Sequence, residues 1–159
     1  MPTTVAVALG SNLGDRRGHL DYAVTRLRSI LQGIRVSSYV ETVPADVPGE
    51  QPLFLNGAVV GDATLSPREL LTQLLAIEAE RGRARPFAGA ARTLDLDLVI
   101  HGNWVIDEVG LVVPHPRFRE RPFVLEPLAE IAPDLLDPVT GSTMSALRER
   151  ASIAVPAER

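Results

Sequence analysis

A chain of 159 residues, 45% hydrophobic and 23% charged, has the balance of a soluble globular protein, with length enough for one well-filled core and a single domain. Its net charge of −4 gives no support for a nucleic-acid or anionic-membrane partner. The absence of cysteine excludes a disulfide framework, a thiolate nucleophile and Cys-ligated zinc.

No basic n-region with an apolar stretch and cleavage site opens the chain, and no apolar run approaches the span of about 18 residues needed to cross a bilayer. The expected location is the cytoplasm. All 16 basic residues are arginine. Arg81, Arg83, Arg85 and Arg92 form one run and Arg117, Arg119 and Arg121 another. Arginine forks match phosphate oxygens in a bidentate way. His19, His101 and His115 show no metal-ligand spacing.

The apolar, β-branched run Thr4–Leu9 predicts a buried first strand. Gly10-Ser11-Asn12-Leu13-Gly14-Asp15 links it to a helix over about Arg16–Leu31, with Gly33 as its stop. That link reads as a tight turn with Asp15 or Asn12 capping the helix, or as a place where backbone N–H groups meet an anion. Ile34–Thr42 alternates as a second strand, and Val43–Pro52, with three prolines and a glycine, is a loop.

Phe54–Asp62 predicts a third strand with Phe54, Asn56, Ala58 and Val60 on one face. Ser66-Pro67-Arg68-Glu69 has the form of a capping box with proline at the first helical position, starting a helix to about Arg81. Glu78 continues its apolar stripe, so its carboxylate is either fraying into solvent or held by a partner near a site. Gly82–Ala91 carries no core-forming pattern and reads as a mobile lid.

Arg92-Thr93-Leu94-Asp95-Leu96-Asp97-Leu98-Val99-Ile100 reads as the fourth strand. Leu94, Leu96, Leu98 and Ile100 enter a core, while Asp95 and Asp97 stand on the other face, roughly 6–7 Å apart at the usual rise. Such a pair is either the wet side of an antiparallel strand or a cation site. Hard oxygen ligands suit magnesium, and two such ions about 3.5–4 Å apart are a recurrent device for displacement at phosphorus. The arginines on either side favour the cation.

Gly102-Asn103 predicts a hairpin whose return strand, through Trp104, Val105 and Ile106, packs the tryptophan. Arg119–Ile131 is expected as a helix broken by Pro122 and Pro127, Ser142–Arg150 as a last helix, and 152–159 as a flexible tail. The order β-α-β-β-α-β predicts an α+β fold, a ferredoxin-like α/β sandwich with a mostly antiparallel central sheet flanked by helices. Residues 1–151 then form the single domain.

A P-loop requires lysine and is therefore excluded, and no G-x-G-x-x-G follows a strand. An arginine-and-magnesium solution to phosphate chemistry remains. Asp95 and Asp97 can hold metal, Arg83 and Arg92 can reach phosphate oxygens, and His115 and Arg121 can serve the far side.

Five blocks in register, Gly10-Ser11-Asn12-Leu13-Gly14-Asp15-Arg16, Phe54-Leu55-Asn56, Gly82-Arg83-Ala84-Arg85, Arg92-Thr93-Leu94-Asp95-Leu96-Asp97 and Pro114-His115-Pro116 through Leu128, resemble 6-hydroxymethyl-7,8-dihydropterin pyrophosphokinase of folate biosynthesis. The resemblance implies magnesium-dependent transfer of pyrophosphate from ATP to the pterin hydroxymethyl oxygen, releasing AMP. It implies two magnesium ions on Asp95 and Asp97, which also face the substrates. Arg83 and Arg92 correspond to catalytic, phosphate-binding arginines, and Glu78, Arg85, Leu98, His115 and Arg121 to further positions on the ATP side. Asn56 corresponds to a residue bonding the pterin edge, Thr42 and the loop after it to pterin contacts, and Phe54 and Phe123 to rings that sandwich the pterin, as offset stacking would favour. The chain would act as a monomer or weak homodimer.

Ala88-Gly89-Ala90-Ala91-Arg92 departs from the family's lid pattern, Arg-Trp-Gly-Pro-Arg. The lid tryptophan and a neighbouring arginine are missing, so activity with weaker closure over the substrates is expected; Pro116 stands where the family often has an aromatic, which bears on the adenine and ribose contacts. Two rivals remain: a ferredoxin-like RNA-binding module, which needs exposed strand aromatics although aromatics total only 4%, and a magnesium-dependent transferase acting on another substrate. A degenerate, inactive member of the family is a third.

Overall fold

The computed structural model describes residues 2–43, 53–82 and 93–154. Arg83, Arg85, Arg92, the expected lid after Gly82, nearly all of the Val43–Pro52 loop and the last five residues of the expected tail lie outside the described residues.

Five strands form the main sheet: β1 (Thr3–Ser11), β2 (Gln32–Val36), β3 (Val40–Thr42), β4 (Phe54–Ala63) and β5 (Asp95–His101). The order is β2-β4-β1-β5, with β3 also on β4, and every pairing is antiparallel. This is the expected α+β, ferredoxin-like layout. Alternating side chains of β1 and β4 feed two cores. Val5, Val7, Leu9, Leu55 and Val59 meet the first two helices, α1 (Arg16–Arg28) and α2 (Pro67–Glu80). Ala6, Ala8, Ala58 and Val60 meet α3 (Pro122–Ile131) and α4 (Met144–Ala154). With α3 and α4 on its second face, the sheet lacks the open platform an RNA-binding module of this layout would need. Among the described residues no helix is long and apolar enough to cross a membrane.

The helix starts follow their local chemistry. Asp15 caps α1, its carboxylate accepting from Gly18 N at 3.1 Å. The capping box opens α2, with Glu69 N donating to Ser66 Oγ and Ser66 N to Glu69 Oε1.

Several elements differ from expectation. Helix α1 ends at Arg28, and Gly33, at φ +58°, sits inside β2 beside a register irregularity instead of stopping the helix. The second strand is split at residues 37–39, where the Ser37 hydroxyl accepts from Ala58 N at 2.8 Å and replaces a backbone partner. Tyr39 covers Gly57 there, where an added Cβ would come within 2.9 Å of the ring.

In β5 the register against β1 slips between Ala6 and Val7, leaving Val99 as an extra residue. Ile100 consequently joins the α3/α4 core and not the leucines. The Gly102-Asn103 turn does not return a strand onto β5. Instead β6 (Ile106–Glu108) pairs with β7 (Leu111–Val113) across a turn with Gly110 at φ +79°, and Trp104 is 55% exposed.

Pro122 starts α3 after a short 3-10 turn at Phe118–Glu120, whereas Pro127 is carried inside the helix. Helix α4 runs to Ala154, into the stretch expected as tail.

Candidate active site

The acidic end of β5 is built by strand alternation and register. Asp95 and Asp97 lie on the α3 side of the sheet, Asp95 buried and Asp97 half-buried. Asp95 pairs with Gly10 of β1, Gly10 with Asn56 of β4, and Asn56 with Val40 of β3. Directly opposite residues share a face, so one row crosses four strands: Asp95, Gly10, Asn56, Val40. The next row holds Asp97, Ala8 and Ala58. Gly10 puts no side chain between the carboxylate and the amide. A glycine inside a strand marks a place of close approach.

The other side of the row is polar and organised. Asn56, 1% exposed, donates from Nδ2 to Thr42 Oγ1 at 2.7 Å and to the Val40 carbonyl at 3.3 Å. This fixes the amide so that its oxygen and nitrogen are not interchangeable. Thr42 is opposite Phe54 in the β3–β4 register, and both are buried. Phe123, on the first turn of α3, is also buried.

Arg121, just before α3, has its guanidinium 5.5 Å from the centroid of the Phe123 ring. Burial pushes the Arg121 guanidinium down from its ordinary value, while the charges of Asp97 and Asp95 act to raise it. The cation therefore stands in the field of both carboxylates and remains protonated.

Among the described residues no three His, Cys, Asp or Glu side chains cluster as a metal cage. The pair Asp95–Asp97 nevertheless fits magnesium, which is commonly bound by one or two carboxylates with substrate phosphates and water completing the shell. Oxygen donors, close spacing and a neighbouring cation suited to phosphate agree with that use.

The structure thus brings together Thr42, Phe54, Asn56, Asp95, Asp97, Arg121 and Phe123. Leu98 does not join them on that face: its side chain packs in the α1/α2 core, opposite the carboxylates. Glu78 lies in the last turn of α2, 4% exposed, and accepts from Leu96 N at 2.7 Å. The frayed alternative for Glu78 is therefore wrong. His115 is half-buried, donates from its backbone N to the Val99 carbonyl at 2.9 Å, and accepts from Arg117 N at Nδ1.

Gly10 went unrecognised as a site residue in the sequence. Its glycine is visible there, but the cross-strand register that sets it between Asp95 and Asn56 is not.

Residues 6–133 match the family model of 7,8-dihydro-6-hydroxymethylpterin-pyrophosphokinase (HPPK). A Synechocystis protein named 2-amino-4-hydroxy-6-hydroxymethyldihydropteridine pyrophosphokinase is 44% identical over 147 residues, covering 91% of this chain and 74% of that protein. Its namesake from Pseudomonas aeruginosa is 41% identical over 133 residues, 82% of each chain. Among solved structures, wild-type HPPK-DHPS of Plasmodium falciparum superposes with a TM-score of 0.72 at 15% identity, a likeness of fold that covers 94% of this chain. The chain spans 45% of that longer one. On these matches, the chain belongs to the 7,8-dihydro-6-hydroxymethylpterin-pyrophosphokinase family.

Proposed function

We propose that the acidic end of β5 carries the family's reaction: magnesium-dependent transfer of pyrophosphate from ATP to 6-hydroxymethyl-7,8-dihydropterin in folate biosynthesis. The observation that carries this reading is the row from Asp95 through Gly10 to the oriented amide of Asn56. On this reading it has metal ligands at one end, a heterocycle-reading amide at the other and, at Gly10, no side chain between.

In the reaction the hydroxymethyl oxygen bonds to the β-phosphorus of ATP. The bond from that phosphorus to the α,β-bridging oxygen breaks, AMP leaves with that electron pair, and the hydroxymethyl proton is lost. Asp95 and Asp97 would hold two magnesium ions, which offset charge on the phosphate oxygens.

Asn56, with Thr42 behind it, reads the polar edge of the pterin, and Phe54 and Phe123 hold its faces. Arg121 and His115 serve the triphosphate. Arg83, Arg85 and Arg92 supply the remaining cations, with Arg83 and Arg92 in the catalytic role. The scheme is read as that of a monomer or weak homodimer. Residues up to Ala151, buried in the α3/α4 core, are read as one pyrophosphokinase domain.

The test is product identity by chromatography, with ATP, Mg²⁺ and the pterin present. Pterin-dependent AMP without ADP is the expected result. ADP would indicate a simple kinase and free pyrophosphate a nucleotidyltransferase. Pterin binding without AMP would mark an inactive member of the family.

The lack of a side chain at Gly10 gives a second prediction. Gly10→Val is expected to raise the pterin KM about tenfold or more through steric exclusion, with the ATP KM little changed. An unchanged pterin KM in steady-state kinetics would remove Gly10 from the site.

A further inference from the structure

β5 is the edge strand of the main sheet, so half of its backbone groups have no neighbouring strand to pair with. Two of these outward groups are taken up by residues outside the sheet. The Leu96 amide donates to Glu78 Oε2 at 2.7 Å, and the Val99 carbonyl accepts from His115 N at 2.9 Å.

Leu96 lies between Asp95 and Asp97 in the chain. The bond from Glu78 therefore acts on the backbone segment whose neighbours carry both carboxylates. Glu78 is 4% exposed and shares its helix face with Leu70, Leu74 and Ile77, all fully buried. Burying a carboxylate there is costly unless it is hydrogen-bonded, and a charge-assisted bond to an amide is among the stronger ones available.

We propose that Glu78 is a positioning residue for the Asp95–Asp97 pair: from the last turn of α2 its carboxylate clamps the Leu96 amide and so fixes the direction in which the two aspartates present their oxygens. This rests on the reading of that pair as the metal site. It gives Glu78 a task exerted from the α2 side of the sheet, through the backbone that carries both aspartates. Groups that orient metal ligands typically change metal affinity by about 10–100-fold when lost.

The test is a pair of variants with opposite defects, made in the full chain. Glu78→Gln keeps the length and an accepting oxygen but removes the charge. Glu78→Asp keeps the charge but is one methylene short of Leu96.

Three quantities are measured: the Mg²⁺ activation constant, the pterin KM, and Mn²⁺ binding by electron paramagnetic resonance in the presence of a non-hydrolysable ATP analogue. The expected result is near-normal metal dependence and Mn²⁺ affinity for Glu78→Gln. For Glu78→Asp, metal affinity is expected to weaken by about tenfold with the pterin KM unchanged. Amide exchange at Leu96 should quicken in Glu78→Asp and stay slow in Glu78→Gln.

Equal damage in both variants would overturn the proposal in favour of a charge or nucleotide contact, as would normal metal affinity in Glu78→Asp. Asp95→Ala, run in parallel, keeps the two questions apart. If it leaves Mn²⁺ binding intact, the metal-site reading fails. If it abolishes binding while the Glu78 variants do not follow the expected order, only the clamp fails.

Discussion

Replacing Asp95 or Asp97 with alanine is expected to remove magnesium-dependent turnover, by about 10³-fold or more, while leaving the fold intact. The two carboxylates share one sheet face, Asp95 buried and Asp97 half-buried, and without a cation they repel each other across two residues of strand. Arg121 offsets part of that repulsion. Removing one aspartate relieves it, so the variants should stay folded, with a cooperative melting transition without Mg²⁺. Loss of activity without loss of stability is the signature of a group kept for function, because a structural group would lose both. The measurement is the rate of AMP formation against Mg²⁺ concentration beside a melting curve for each variant. Retained turnover in either one would sink the metal assignment.

The largest effect on stability is expected at Asp137. Its side chain is fully buried and accepts from Arg119 Nη2 at 2.9 Å, Val139 N at 3.0 Å and Thr140 Oγ1 at 2.7 Å. It ties the 3-10 turn carrying Phe118 to the segment that leads into α4, and so closes the α3/α4 core from outside the sheet. Asp137→Ala leaves those donors unpaired and is expected to cost about 2–4 kcal/mol.

Burial acts to raise the Asp137 carboxyl, but the bonds from Arg119, Thr140 and Val139 outweigh it and hold the group at about 2. A depressed carboxyl stabilises the fold above its unfolded value of about 4, and that contribution is lost as pH falls toward about 2. The gap in unfolding free energy between wild type and Asp137→Asn should therefore narrow from pH 5 to pH 3, as read by urea denaturation. A gap independent of pH would mean that the charge on Asp137 contributes nothing.

What the sequence revealed and what it hid divide along physical lines. Local rules sufficed where a few neighbouring residues decide the outcome. Ser66 and Glu69 formed their reciprocal cap, Asp15 capped α1, and the alternation of Leu94, Leu96 and Leu98 put the aspartates on the expected face. Ile100 did not follow, because Leu98-Val99-Ile100 is apolar at every position. Alternation within such a run cannot reveal an extra residue, and only pairing with Ala6 and Val7 exposes the slip.

The second strand broke because the Ser37 hydroxyl could stand in for a backbone group, which is legible only once Ala58 is known to lie opposite. Trp104 was misplaced for a similar reason. Gly102-Asn103 makes a good turn, with Trp104 N donating to the His101 carbonyl, but β6 found a better partner in β7 than in β5. The alignment of Asp95, Gly10 and Asn56 likewise combines three separate strands; the resemblance implied roles for Asp95 and Asn56 but none for Gly10, and not their arrangement.

That alignment also has a metric consequence. Asp95 and Asn56 stand on strands with only β1 between them, so two interstrand steps, about 10 Å in total, separate their backbones. The spacing is enforced by ladder hydrogen bonds on both sides of β1, not by any side chain. On the proposed roles of Asp95 and Asn56, the sheet would work as a ruler, setting the part of a ligand that is recognised and the part that reacts about two strand widths apart. On that reading, shortening or lengthening the arm between heterocycle and hydroxyl moves the reacting oxygen away from the carboxylates, and turnover should fall.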